Sequence, residues 1–282
     1  MGASKAYRQS FFSRHRFCIF CGGAEPATTI EHCPPRSMFQ GRHWPEGFEF
    51  PACESCNHGT SNDDLLVAFL ARLDPTGQDR NQDGRFLAIM RSVNDEFPGL
   101  LEKMIVSSNE ARRRNKALGL VPAPGQTHRD TSPVKLPSEM HVAVGEFAKK
   151  LAKGVYYQET SKAFPETGCL LLNWFTNIDF VRHGGFIVFD LLKEIAGQVP
   201  RLKRSKILLN DQFEYKVSMA DDNSIFLLQA RFGQMFGLVV AGSAVTGQLE
   251  SMVEKKREET GSKGPFQVLQ SPSLSCRSRV LI

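Results

Sequence analysis

Cys18-Ile19-Phe20-Cys21-Gly22-Gly23 and Cys53-Glu54-Ser55-Cys56-Asn57 are the two stretches on which the fold turns. Two residues between cysteines let one tight turn aim both sulfurs at a single ion, and the glycines after the first pair can take the backbone angles such a turn needs. Two turns of this kind complete a closed tetrahedral site of four thiolates, the donor set of structural Zn2+, with no coordination position left for chemistry. The expected ligands are Cys18, Cys21, Cys53 and Cys56. Residues 18–60 are dense in Cys, His, Pro and Gly, so they bury little apolar surface and need such a staple. Of the seven cysteines, Cys33, Cys169 and Cys276 lack a C-x-x-C partner. In a reducing compartment the pairing of the other four favours metal over disulfides.

Between the two pairs lies Thr29-Ile30-Glu31-His32-Cys33-Pro34-Pro35-Arg36, and Asn57 follows the second pair directly. The arrangement resembles the HNH endonuclease family of the ββα-metal superfamily. There C-x-x-C is followed by an acid–His pair, a proline three residues on, and C-x-x-C-N. The resemblance covers roughly residues 15–75, about a quarter of the chain. It implies a two-stranded ribbon carrying Glu31 and His32, then a helix with Asn57 near its start. It further implies His32 as general base, Glu31 as ligand of a catalytic Mg2+ or Mn2+, and Asn57 as a further ligand or orienting group. The implied reaction is hydrolysis of DNA to 5′-phosphate and 3′-hydroxyl ends.

The residue types suit that chemistry. An imidazole with a pKa of about 6.5 accepts a proton from water at neutral pH. A carboxylate and an amide oxygen hold a hard divalent ion and leave positions open for phosphate and water. Neighbouring residues on a strand point to opposite faces, so Glu31 and His32 share a site only if the backbone turns there, as Pro34-Pro35 allows. Two features depart from the family pattern: Glu31 stands where Asp is usual, and the pattern's last letter has no clear counterpart. Leu65 and Leu66 occupy its region, leaving His58, Asn62 and Asp63 as substitutes. Asp63 is the candidate third ligand, and Arg36, Arg42 and His58 are candidate phosphate contacts.

Outward from the module, the pattern is α+β: an N-terminal zinc-stapled ββα-metal (HNH) module followed by a larger mixed helix and antiparallel-sheet domain. Leu65, Leu66, Phe69 and Leu73 give 62–73 a helical stripe, and helices are predicted over 85–97 and 100–118. Four prolines mark 119–138 as a linker, which puts the module with its flanking helices at 1–118. In 139–253, Val144, Phe147, Ala148, Leu151, Ala152 and Val155 recur at helical spacing. Gly168–Val181 reads as strand, 185–199 as strand or helix, and 212–241 as an antiparallel meander. Residues 254–282 are charged, then rich in Ser, Gly and Pro, and read as a mobile tail.

The net charge of +5 suits a polyanionic partner, with basic runs at Arg8/Arg14/Arg16, Arg112–Arg114 and Arg201/Lys203/Arg204/Lys206. No apolar run reaches the ~18 residues of a membrane span, and the basic start lacks the apolar core of a secretory signal, so a cytoplasmic protein is expected. DNA is the first expected partner and RNA the second, with self-association through 139–253 a further option. Three other functions remain open: a non-catalytic zinc-knuckle module, an RNA-directed nuclease, and a nuclease switched on by a ligand through the second half.

Overall fold

The computed structural model describes residues 3–73, 84–130, 134–260 and 267–270, and within them the protein is a mixed α+β structure. The chain opens with α1 (Ala3–Arg14) and then turns through the first cysteine pair, where Phe17 bridges Pro26. β1 (Thr29–His32) and β2 (Glu49–Ala52) form an antiparallel ribbon in which His32 lies opposite Glu49 and Glu31 opposite Phe50. The long connection between them holds two 3-10 turns, Arg36–Met38 and Gln40–Arg42. α2 (Glu54–His58) starts at Cys53, and α3 (Ser61–Arg72) follows within a few residues. The order strand–strand–helix is therefore present. The predicted helix at 62–73 lies where its apolar stripe put it, buried from Leu66 to Arg72.

α4 (Arg85–Glu96) matches its prediction, but the helix expected over 100–118 is two: α5 (Leu100–Met104) and α6 (Ser108–Leu118). Ser107 is the reason. Its backbone is extended and its hydroxyl accepts from the Glu110 N–H at 3.3 Å, an N-cap that restarts the helix. Gly119, at φ 68°, closes α6 with its N–H on the last carbonyls.

α7 (Ser138–Thr160) is the centre of the structure. One side meets α3, and the other lies on a five-stranded antiparallel sheet through pairs such as Phe147–Phe232, 5.3 Å apart, and Tyr156–Phe226, 5.7 Å apart. That sheet is made by β3 (Cys169–Thr176), β6 (Glu214–Met219), β7 (Ile225–Phe232), β8 (Phe236–Ser243) and β9 (Gln267–Gln270), in the order β6-β7-β8-β3-β9. Between β3 and β6 come α8 (Asn177–His183), α9 (Ile187–Leu191) and a small hairpin, β4 (Lys203–Arg204) with β5 (Ile207–Leu208). The stretch read as strand up to 181 thus ends at Thr176 and turns helical, and 185–199 contains a short helix. α10 (Gln248–Thr260) buries Leu249 against Cys169 and Leu171.

Two observations bear on the expected organisation. The proline-rich 119–138 is irregular in its described residues, yet no break in the core falls there. One hydrophobic cluster runs from Phe20 and Phe50 through α7 to Phe226 and Val240. The segment from 254, expected as a mobile tail, is helical in its first part. The charged segment continues α10 to Thr260, since its apolar Leu249 docks on the sheet, and β9 pairs with the free edge of β3. The rest of that segment lies outside the described residues. No helix among them is long and apolar enough to cross a membrane.

Two contacts place the ribbon. Gly154 lets the Phe50 ring lie directly on α7, where a Cβ would stand 2.9 Å from it. Arg72, only 1% exposed, donates from Nε to Ser37 O at 2.8 Å and from Nη2 to Phe39 O at 2.6 Å, pinning the β1–β2 connection to α3. Arg72→Met keeps the stem but strands two carbonyls, that of Phe39 buried and that of Ser37 partly buried. We expect a loss of about 2–4 kcal/mol in urea unfolding, since hydrogen bonds to charged donors and orphaned acceptors cost that much. An unchanged midpoint would show that the loop does not depend on this strut.

Candidate metal centre and adjoining cleft

The four paired cysteines come together. Cys18 and Cys21 turn beside the ribbon, Cys53 and Cys56 flank the first turn of α2, and their ligand atoms all lie within 4.8 Å of one another, fully buried. Among the described residues no other group of three or more His, Cys, Asp or Glu residues is gathered closely enough to hold a metal ion. Four thiols at this spacing could hold a metal such as zinc. Crowding splits their proton affinities. The Cys18 side chain holds the Cys21 thiol well below its ordinary value, with help from Cys56, and the same contact raises Cys18. Lys153 of α7 completes the surroundings. Its ammonium donates to Phe20 O at 2.7 Å, and burial lowers its pKa to about 8 against the opposing pull of the nearby sulfurs.

One turn earlier on α7, Lys150 reaches the floor of a second site. Its ammonium contacts Glu31, lies 3.0 Å from Asp64 Oδ2 and donates to Thr60 Oγ1 at 2.7 Å. Glu31 is 5% exposed, and burial raises its carboxyl to about 7 although Lys150 pulls the other way. Asp64 is raised for the same reason. Burial opposes the charge on Lys150, but Asp64 and Glu31 together hold its pKa above the ordinary value. Two carboxylates thus share one ammonium in the interior.

Above this floor opens a cleft of about 760 Å³, lined by Glu31, His32, Asn57 and Asp64. His32 lies edge-on to Trp44 at 4.8 Å, with Nε2 3.7 Å from Glu49 Oε1. Burial, then the Arg36 guanidinium, lowers its pKa to about 4, so the imidazole is neutral at physiological pH and a weaker base than an exposed histidine. The rim is cationic. Arg36 and Arg204 both stack on Trp44, their Cζ atoms 5.0 and 3.7 Å from its ring centre. Arg42 and Arg8 complete the wall. Arg42 follows Gly41, and both take left-handed backbone angles at φ 60°, a sparsely populated conformation for arginine.

The expected residues therefore divide. Glu31, His32, Asn57, Arg36 and Arg42 line one cleft. His58 ends α2 exposed to solvent and is not among the lining residues. The acid that α3 contributes is Asp64 in place of Asp63, because consecutive helical residues lie about 100° apart. The Asp63 carboxyl faces Glu146, and burial first, then that like charge, raises it to about 6. Sequence reasoning missed Trp44, Glu49, Lys150 and the place of Arg204 in the cleft. Arg204 was visible only as one member of a basic run, and the other three carried no motif. Comparison with known protein families, with curated proteins and with solved structures finds no match for this chain.

Lys150→Met tests the floor. It leaves the buried Glu31 and the half-buried Asp64 without a counter-ion, a loss of about 3–5 kcal/mol near neutral pH. The sign of the pH dependence follows from the raised carboxyls. The folded state binds protons more tightly than the unfolded chain between the ordinary carboxylate value and about 7, so stability falls as pH rises through that window, and more steeply without the lysine. Urea unfolding of the variant should approach wild type at mildly acidic pH. A deficit independent of pH would contradict the assignment.

Proposed function

We propose that the protein is a metal-dependent endonuclease of the HNH type that hydrolyses phosphodiester bonds in DNA, with the four-cysteine group holding a structural Zn2+. The observation that carries the reading is the cleft. Three residues singled out by the motif, His32, Glu31 and Asn57, line it together with a further carboxylate and a cationic rim. In this reading the neutral imidazole of His32 takes a proton from the water that attacks phosphorus, and the rim holds the phosphate's charge. Glu31, Asp64 and Asn57 offer hard oxygen donors that suit Mg2+ or Mn2+. Such an ion would supply Lewis acidity towards the phosphate and the leaving oxygen.

A second reading has its own observation. Lys150 already compensates Glu31 and Asp64, and these acids do not converge with His32 as the four cysteines converge with one another. A module completed by its own lysine could bind nucleic acid without cutting it. Supercoiled plasmid separates the two. The nuclease should nick it with Mg2+ or Mn2+ and not with EDTA, and His32→Ala should lower the rate by at least about 100-fold, the usual contribution of a general base. Equal nicking by wild type and variant would remove His32 from its role, and no nicking by either would favour the binding module.

The zinc assignment is tested separately. The purified chain should carry one zinc, and Cys56→Ser should abolish both the zinc and cooperative unfolding, because in small metal-stapled modules binding energy is folding energy. A metal-free protein that unfolds cooperatively would refute the staple.

A further inference from the structure

Arg204 belongs to a basic run in the second half of the chain, yet it lines a cleft built otherwise by the first. The β4–β5 hairpin that carries it is fastened to the loop that carries Trp44: Glu46 N–H donates to Lys203 O at 3.0 Å, and Ser205 N–H donates to Glu46 Oε1 at 2.7 Å. Strand alternation then sends Arg204 inward while Lys203 stays exposed. Its guanidinium lies on Trp44, which also receives Arg36, so one indole holds two cations at the rim.

The charges there do not balance. Arg8, Arg36, Arg42 and Arg204 share one carboxylate, Glu49, because the other two acids of the cleft are held by Lys150. Glu49 is itself divided between the Tyr7 hydroxyl, His32 and Arg204, the last at 3.9 Å. Four guanidiniums gathered around one carboxylate attract anions. Two of them, Arg36 and Arg204, are held on one indole as separate contacts, which suits successive phosphates of a strand better than a single phosphate.

We infer that Arg204 is a phosphate-positioning residue, supplied by the second half of the chain, that grips a backbone phosphate of a DNA strand lying in the cleft on the Trp44 side of His32. The inference rests on the proposed function for the identity of the strand, but it concerns binding and can be tested apart from cleavage. Arg36 and Arg204 hold neighbouring phosphates, Trp44 keeps them apart, and the β4–β5 hairpin sets the register of the strand against the imidazole.

The test is equilibrium binding of a short fluorescein-labelled DNA duplex to the full chain, with Ca2+ in place of Mg2+, read by anisotropy over a series of salt concentrations. Wild type, Arg204→Met and Arg204→Lys are compared. The methionine keeps the apolar stem on Trp44 and removes the charge. It should bind about tenfold more weakly, the cost of one charge-assisted contact, with the log–log salt slope smaller by about 0.9, the share of one phosphate. The lysine should restore the slope, which counts charges and does not respond to a merely structural defect. An unchanged slope in Arg204→Met, or a wild type with no salt-dependent affinity for the duplex, overturns the inference. A reduced slope in a protein that never nicks plasmid upholds Arg204 while the hydrolase reading fails. Nicking with an unchanged slope does the reverse.

Discussion

Two ammonium groups three residues apart, Lys150 and Lys153 on α7, are buried in the part of the molecule that holds the cysteines and the acid–histidine pair. A buried charge is costly unless it is paired and hydrogen-bonded, so each lysine must find compensation where the helix puts it. Lys153 finds it at Phe20 O beside the sulfurs, and Lys150 between Glu31 and Asp64. The requirement runs both ways. Without the lysines, four crowded thiols and the carboxylates of Glu31 and Asp64 would lose the ammonium groups that face them. The helix that opens the second half of the chain is for this reason an integral wall of the first.

The same constraint organises the cleft. Glu31 and Asp64 are compensated from below by Lys150, and the guanidiniums gather at the rim. His32 sits between these layers, desolvated and next to arginines, which keeps its imidazole neutral. A floor of two carboxylates shared with one ammonium, a neutral imidazole and a positive rim form a sequence of environments from the interior to the mouth of the cleft. The nuclease reading draws its physical sense from that layering. The lysine at the floor is the feature that most distinguishes a binding module from a cutting one.

Much of the local structure was legible in the chain. The C-x-x-C spacing specified a four-sulfur cluster, and the apolar stripes located α3, α4, α7 and the β6–β8 meander. The break between α5 and α6 was missed because the cap at Ser107 is a local hydrogen bond inside an otherwise helical pattern. The helix over the start of the tail was not legible, because composition describes its charged face and says nothing of Leu249 docking on β3.

By itself, the sequence determined which residue types stand at short, fixed spacing: the two cysteine pairs, the Glu31-His32 dipeptide, Asn57, and the α+β alternation around them. Those depend on bond lengths and on helix and strand periods, which act over a few residues. Only the tertiary structure decided that Asp64 and not Asp63 reaches the cleft, that Lys150 neutralises its floor, and that Arg204 joins Arg36 across Trp44. These are meetings of residues far apart in the chain. They are set by how one buried helix rotates to compensate its charges and by where a two-residue hairpin is tied down, and neither is encoded in local spacing.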